Sequence, residues 1–130
     1  LYRGELAPDM AEVAPYLVRL EQDSPFCNWM LREGWGNHWG IFVSRDIDTR
    51  ELHRHYRRFL TVHDPDGKPL VFRYYDPRVM RIYLPTCNAS ELATVFGPVK
   101  SYLVEDENAE IALRFSVEAG NLRKETLKLG

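Results

Sequence analysis

The sequence predicts an α/β domain with a mixed sheet, in which parallel central strands are flanked by helices and followed by a C-terminal antiparallel hairpin. Two observations carry this prediction. Short apolar runs alternate with helix-type segments between residues 14 and 97, and two further apolar runs then flank an acidic turn. Alternating strands and helices are typical of crossover connections, which join parallel strands. We therefore place the hairpin at one edge of the sheet.

The composition is that of an ordinary globular domain. The chain has 130 residues, of which 45% are hydrophobic and 28% charged, and its net charge is −2. This charge favours neither nucleic acid nor a membrane surface. No apolar run approaches the roughly 20 residues that a membrane helix needs, and no signal-peptide pattern is present. We expect a single cytoplasmic domain over residues 1–130, with Cys27 and Cys87 as reduced thiols.

The first elements are predicted from β-type composition and helix-capping residues. The β-branched and aromatic run at 14–20 predicts a first strand. Ser24 followed by Pro25 predicts a helix start, and Gly34 predicts its end. The near-continuous apolar run at 38–45 is typical of a strand that is covered on both faces.

A second helix is predicted from Asp48, with Glu51 three residues later in a capping-box arrangement. Its apolar positions recur at helical spacing and form one stripe. These positions are Leu52, Tyr56, Phe59 and Leu60. The "DPDG" segment at 64–67 has type I turn chemistry.

A further strand is predicted at 69–76, and Asp76-Pro77 repeats the cap-then-proline device at the start of a short helix that Pro85 ends. Asn88 and Glu91 form another capping box before a helix that closes at Gly97.

The last third changes character. The runs at 101–104 and 110–117 predict the antiparallel hairpin with one solvated face. The tail at 121–130 is compatible with a helix but is too short to assign.

Asp76 has a catalytic and a structural interpretation. It lies where a strand meets a helix, a position at which open α/β sheets place ligand-contacting residues. A small hydrolase or transferase would combine it with His38 or His63. Because Asp before Pro is also what a helix start requires, we favour the capping role.

Arg73 lies among apolar residues of the same run, so its guanidinium must reach the rim of the core or pair with a carboxylate. We favour an internal ion pair with Asp76 or another acid. The alternative is an anion site formed by Arg73 and Arg78.

The histidines and glycines predict neither a metal site nor a nucleotide site. His53 and His55 form an H-x-H pair, but on a helix their side chains point about 200° apart. The glycine-rich stretch at 34–40 precedes a strand, whereas a phosphate-binding loop follows one. We therefore expect no metal and no cofactor.

The tryptophans and the arginine-rich helix are the candidates for a protein interface. Trp29, Trp35 and Trp39 are expected mainly in packing, and any that is exposed becomes an interface candidate. The helix after residue 48 carries arginines at spacings of four, three and one, so three or four of them line one face. These are Arg50, Arg54, Arg57 and Arg58. This face is either simply solvated or contacts an acidic partner.

Four segments of the chain together resemble one family, the effector adaptors, or effector chaperones, of type VI secretion. The segments are 14–20, 29–45, 51–85 and 91–99. The most specific part is a block in which Arg73, Tyr75, Asp76, Pro77 and Arg78 occur together.

This resemblance implies a bacterial cytoplasmic protein without catalytic turnover, which binds a toxic effector and helps to load it onto a VgrG-type spike protein. Arg50, Arg54, Arg57, Arg58 and Arg78 are the candidate partner-binding residues. Members of the family have a further strand and helix before the segment "LYRGEL", and often more chain after the hairpin. We therefore expect residues 1–130 to lack those parts.

Overall fold

The computed structural model describes residues 16–45, 48–59, 61–63 and 65–129. In these residues, the four α-helices are α1 (Pro25–Gly34), α2 (Thr49–Phe59), α3 (Pro77–Tyr83) and α4 (Ala89–Phe96), and a 3-10 turn at Leu84–Thr86 continues α3. The six strands are β1 (Phe42–Arg45), β2 (Thr61–His63), β3 (Pro69–Val71), β4 (Val99–Glu105), β5 (Ile111–Glu118) and β6 (Asn121–Lys128). None of the helices so described is both long and apolar enough to cross a membrane.

The main sheet has the order β1-β4-β5-β6, and each neighbouring pair of strands is antiparallel. The prediction of parallel central strands is therefore wrong. The strands β1 and β4 are neighbours although three helices and the antiparallel β2–β3 ribbon lie between them in the chain. The alternation of strands and helices shows only that helices lie between two strands in the chain. A connection as long as the one between β1 and β4 can bring the second strand back parallel or antiparallel to the first.

Four strand predictions also differ from the structure. The predicted strand at 38–45 begins only at Phe42. Residues 16–20 join no strand, and the other two residues of the predicted first strand lie outside the described part of the chain. The predicted strand at 69–76 is only three residues long, because Tyr74 and Tyr75 form a turn. The hairpin of β4 and β5 lies in the middle of the sheet, since β6 adds to its outer side. Charged edge strands such as β6 lack the apolar run that a sequence search recognises.

The helix starts are confirmed at the level of individual hydrogen bonds. The side chain of Ser24 accepts from the Cys27 amide at 3.0 Å, and that of Asp48 accepts from the Glu51 amide at 2.8 Å. The reciprocal capping box at the start of α4 is complete. The turn predicted at 64–67 is present over its described residues. Leu60 and the side chain of Phe59, both predicted in the apolar stripe of α2, lie outside the described residues.

The core lies between the helices and one face of the sheet. The ring of Tyr56 on α2 stacks on Tyr74 with centroids 5.2 Å apart. Its hydroxyl donates to the Tyr102 hydroxyl at 3.1 Å, which donates to the carbonyl of Val95 at 2.7 Å. Burial raises the pKa of Tyr56 and of Tyr102, so both hydroxyls stay protonated donors. The chain of bonds joins α2, β4 and α4 across the core.

Candidate functional site

A buried carboxylate at the end of β4 anchors the glycine-rich turn that follows α1. Glu105 is 2% exposed and accepts hydrogen bonds from the amides of Gly36 and His38. The Nδ1 atom of His38 lies 2.7 Å from Oε1 of Glu105, as a close contact without an aligned hydrogen bond. The glycine-rich stretch is therefore a turn that is tied to the sheet. Sequence reasoning did not single out Glu105, because its partners lie more than sixty residues earlier in the chain.

Three aromatic side chains form an exposed cluster beside this turn. We call Phe26, Trp29 and Trp39 the aromatic ledge. The ring centroids of Trp29 and Trp39 lie 5.1 Å apart, and those of Phe26 and Trp29 lie 5.9 Å apart. Trp29 is 43% exposed and Trp39 is 48% exposed. Because an exposed tryptophan is a candidate for a protein interface, both residues are interface candidates. Trp35 is half-buried and packs against Phe42 with ring centroids 5.9 Å apart, and its Nε1 donates to the carbonyl of Ala109 at 2.7 Å.

A groove of about 850 Å³ lies next to the aromatic ledge, between β1 and residues 16–20. We call it the β1 groove. The buried side chains of Leu52 and Tyr56 line it from α2, and the exposed Trp39 and Arg19 also line it. Its lining is thus mainly apolar, with an arginine at the surface.

Asp76 has the capping role that the sequence favoured. It is 6% exposed, and one carboxylate oxygen accepts from the Arg78 amide at 2.9 Å. The Arg78 guanidinium binds both oxygens, with Nε 3.1 Å from Oδ1 and Nη2 2.8 Å from Oδ2. These hydrogen bonds lower the pKa of Asp76, against the opposing effect of burial. The carboxylate is therefore ionised, and it connects the turn at residues 74–75 to the start of α3.

The other residues of the block at 73–78, which the sequence analysis singled out, lie around the Asp76 carboxylate. Arg73 was expected to pair with Asp76 or another acid, but Asp76 pairs with Arg78, and Arg73 is exposed with no ion pair to a described residue. Arg78 remains 55% exposed while it is paired. Pro77 is buried at the first position of α3, and Tyr75 contacts Tyr74 edge-on at 5.7 Å. The block thus fixes the entry of α3 and leaves Arg73 and part of Arg78 at the surface.

Among the described side chains, no histidine pairs with Asp76. Arg78 occupies both carboxylate oxygens, and His38 contacts Glu105. The side chain of His63 lies outside the described residues. No cluster of three potential metal ligands occurs among the described residues. The Nε2 atom of the buried His55 lies 3.0 Å from the Val95 carbonyl, and burial lowers its pKa, which is typical of a neutral core histidine.

The four arginines of α2 share one side of that helix. At about 100° per residue, positions 50, 54, 57 and 58 fall within an arc of about 100°. We call these residues the arginine stripe. Arg50, Arg54 and Arg58 are exposed and Arg57 is half-buried, whereas Leu52 and Tyr56 are buried on the other side of the helix. The predicted shared face is therefore present.

Comparison with known proteins identifies one family. Residues 1–94 match the family model described as "Domain of unknown function (DUF4123)". This family is associated with type VI secretion effectors. No curated protein and no solved structure shows a significant match to the chain.

Proposed function

The chain belongs to the DUF4123 family, and from this premise we propose that it is a non-catalytic adaptor of type VI secretion. In this proposal it binds a secreted effector in the bacterial cytoplasm and helps to load it onto a VgrG-type spike protein. The observation that carries the proposal is the arginine stripe. Its four positive charges lie on the side of α2 opposite the buried Leu52 and Tyr56, and three of them, on Arg50, Arg54 and Arg58, are exposed and accessible to a partner.

The chemistry of the stripe fits an acidic protein surface. A guanidinium presents several donors in a planar fork that matches a carboxylate, and arginine is enriched among the residues that dominate binding energy. Arg78 is a second candidate contact, because it is half exposed although it is paired with Asp76. Arg73 is exposed close to it along the chain.

The competing functions receive less support from the geometry. A hydrolase or transferase needs Asp76 within hydrogen-bonding reach of a histidine or of substrate, but its two oxygens are bound by Arg78. An anion site needs a concave basic pocket. The depression beside Arg78 is lined mainly by apolar side chains such as Phe72 and Ile82, and the charge of Arg78 is balanced by Asp76.

The experiment is a pull-down of the protein encoded immediately downstream of the gene, with the full 130-residue chain as bait. A variant with Arg50, Arg54 and Arg58 changed to Glu tests the stripe, and it spares Arg57 because that side chain is half-buried. The matched control also reverses three charges, by changing the exposed Arg114, Arg123 and Lys124 to Glu on the strands β5 and β6.

Binding by the wild type and by the control, lost in the stripe variant, supports the adaptor and its interface. Circular dichroism must show that all three chains are folded. If the folded wild type does not bind, the adaptor proposal is wrong. Equal binding by all three chains would leave the adaptor standing but move its interface away from the stripe.

A further inference from the structure

We infer that the β1 groove receives an extended segment of the bound effector, which adds as a new strand to the open edge of β1. This inference rests on the proposed adaptor function and names a second contact surface for the same partner. Addition of a strand to an exposed sheet edge is a common mode of peptide recognition, in which backbone hydrogen bonds give affinity and side-chain pockets give specificity.

The first argument is the edge itself. The strand β1 pairs with β4 through Phe42 with Leu103, Val43 with Tyr102 and Ser44 with Ser101. Among the described residues, no strand pairs with its other side. In an antiparallel ladder, alternate backbone N–H and C=O groups point away from the paired neighbour. One row of the backbone donors and acceptors of β1 therefore points away from β4, and Phe42, Val43 and Ser44 all line the β1 groove.

The opposite edge of the sheet makes a useful contrast. The strand β6 carries Arg123, Lys124 and Lys128, and all three are exposed. Lysines and other charges on an edge strand discourage pairing with a further chain. The strand β1 has one charged residue, Arg45 at its last position, whereas Phe42, Val43 and Ser44 carry no charge. The open edge of β1 is therefore the more receptive of the two.

The second argument is the shape and lining of the groove. Successive side chains of an extended strand point to opposite sides, so every second residue of an added strand would enter the groove. There it would meet the buried Leu52 and Tyr56 and the exposed Trp39. A volume of about 850 Å³ lies within the range of sites that bury a ligand. The segment should therefore carry apolar residues at alternate positions.

The third argument is charge. Arg19 lies on the groove wall, is exposed, and forms no ion pair with any described residue. Glu105 also lines the groove, but its carboxylate is buried and bound by the turn at Gly36 and His38. Among the described residues that line the groove, the charge without a bound partner is therefore the positive charge of Arg19. We expect an aspartate or glutamate in the added segment, next to Arg19.

The groove and the arginine stripe use different sides of the same helix. Thr49, Leu52 and Tyr56 of α2 line the groove, whereas the arginines lie on the remaining arc. One partner can therefore contact both surfaces at once, with an extended segment in the groove and an acidic surface on the stripe. Two linked contacts of this kind strengthen binding without either being strong alone.

The test is amide hydrogen exchange, resolved by NMR, on the full 130-residue chain with and without the downstream-encoded effector. We expect β1 amides that face the groove to exchange freely in the isolated chain. In the complex they should slow by about tenfold or more, because opening must then break the new backbone bonds. Amides that already bond to β4 provide the internal reference.

Three results would overturn the inference in different ways. If groove-facing amides are already slow in the isolated chain, the edge of β1 is not open and strand addition there is wrong. If the effector protects only amides elsewhere, for instance around the arginine stripe, the adaptor function survives and strand addition at β1 is wrong. If no complex forms, the proposed function fails as well.

A pair of charge reversals tests the predicted acid. We expect Arg19→Glu to raise the dissociation constant of the effector by about tenfold or more, which is about 1.4 kcal/mol or more of binding free energy. Arg123→Glu on β6 is the matched control, because it is exposed at the other edge of the sheet, and its effect should stay below about twofold. Equal effects of the two reversals would contradict charge recognition at the groove.

Discussion

The buried carboxylate at the end of β4 gives the sharpest test of how the turn after α1 is held. We consider Glu105→Gln, which preserves the shape of the side chain and removes its charge. In the wild type, Oε2 accepts from the Gly36 amide and Oε1 accepts from the His38 amide at 2.9 Å. Glutamine has one acceptor oxygen and one donor NH₂ group. Whichever way its amide turns, one backbone N–H must face another donor.

The magnitude follows from burial and from the two bonds. A hydrogen bond to a charged group contributes about 1.5–3 kcal/mol, and leaving a buried donor unsatisfied costs about 1–3 kcal/mol. Because the two figures describe partly the same loss, we expect the free energy of unfolding to fall by about 2–4 kcal/mol. At about 2.1 cal/mol/K per residue, the unfolding entropy of 130 residues is about 0.27 kcal/mol/K, so a loss of about 3 kcal/mol lowers Tm by about 11 °C.

The assay is urea unfolding followed by circular dichroism, with the m-values of both chains compared. The matched control is Glu118→Gln, which removes the charge from an exposed carboxylate paired with exposed Arg123 at 2.8 Å. Exposed pairs contribute about 0–1 kcal/mol, so the control should unfold close to the wild type. If Glu105→Gln stays within about 0.5 kcal/mol of the wild type with the same m-value, the bonds of Glu105 do not stabilise the fold as argued.

Two further predictions concern the joint at α3 and the glycine that ends α4. Asp76→Asn keeps a capping oxygen but removes the charge. Because Arg78 lowers the pKa of Asp76 below 3.8, the wild type should have the higher free energy of unfolding above about pH 5. This difference should shrink as the pH falls through the lowered pKa of Asp76. Urea unfolding from pH 6 to about 2 measures the gap, and a gap that does not change with pH would contradict the ion pair. Gly97 has φ +48, and a Cβ there would lie 2.5 Å from Cε1 of the buried His55. Gly97→Ala should therefore lower the free energy of unfolding by about 2–5 kcal/mol, from backbone strain and overpacking together. Gly67→Ala, at φ +81 with nothing within 4 Å, should show the strain alone, and equal losses in the two variants would contradict the steric contact.

The part of the fold that the sequence predicted correctly is local. Ser24 with Pro25, Asp48 with Glu51, and the capping box before α4 each lie within a few residues of the amide they bind. A cap therefore depends on neighbouring residue types and on little else. The helix α2 and the shared face of its arginines follow from spacing alone.

The direction and order of the strands were not predictable in this way. Each strand contact joins residues distant in sequence, such as Phe42 and Leu103, and nothing in a short apolar run specifies its partner. The run at 69–76 is apolar because Tyr74 stacks in the core from a turn, and not because all of it pairs in a sheet. The strand β6 escaped prediction because an exposed, charged edge has no continuous apolar pattern.

The same distinction between local sequence patterns and long-range contacts applies to the candidate site. The residue types themselves indicated a capping Asp76, an arginine face on α2, and tryptophans that would become interface candidates if exposed. Only the tertiary structure decided that Arg78 pairs with Asp76, that Trp29 and Trp39 lie at the surface, and that Glu105 holds the turn beside them. Residue type and local spacing determine which contacts a side chain is able to make, whereas packing across distant segments decides which partner it finds.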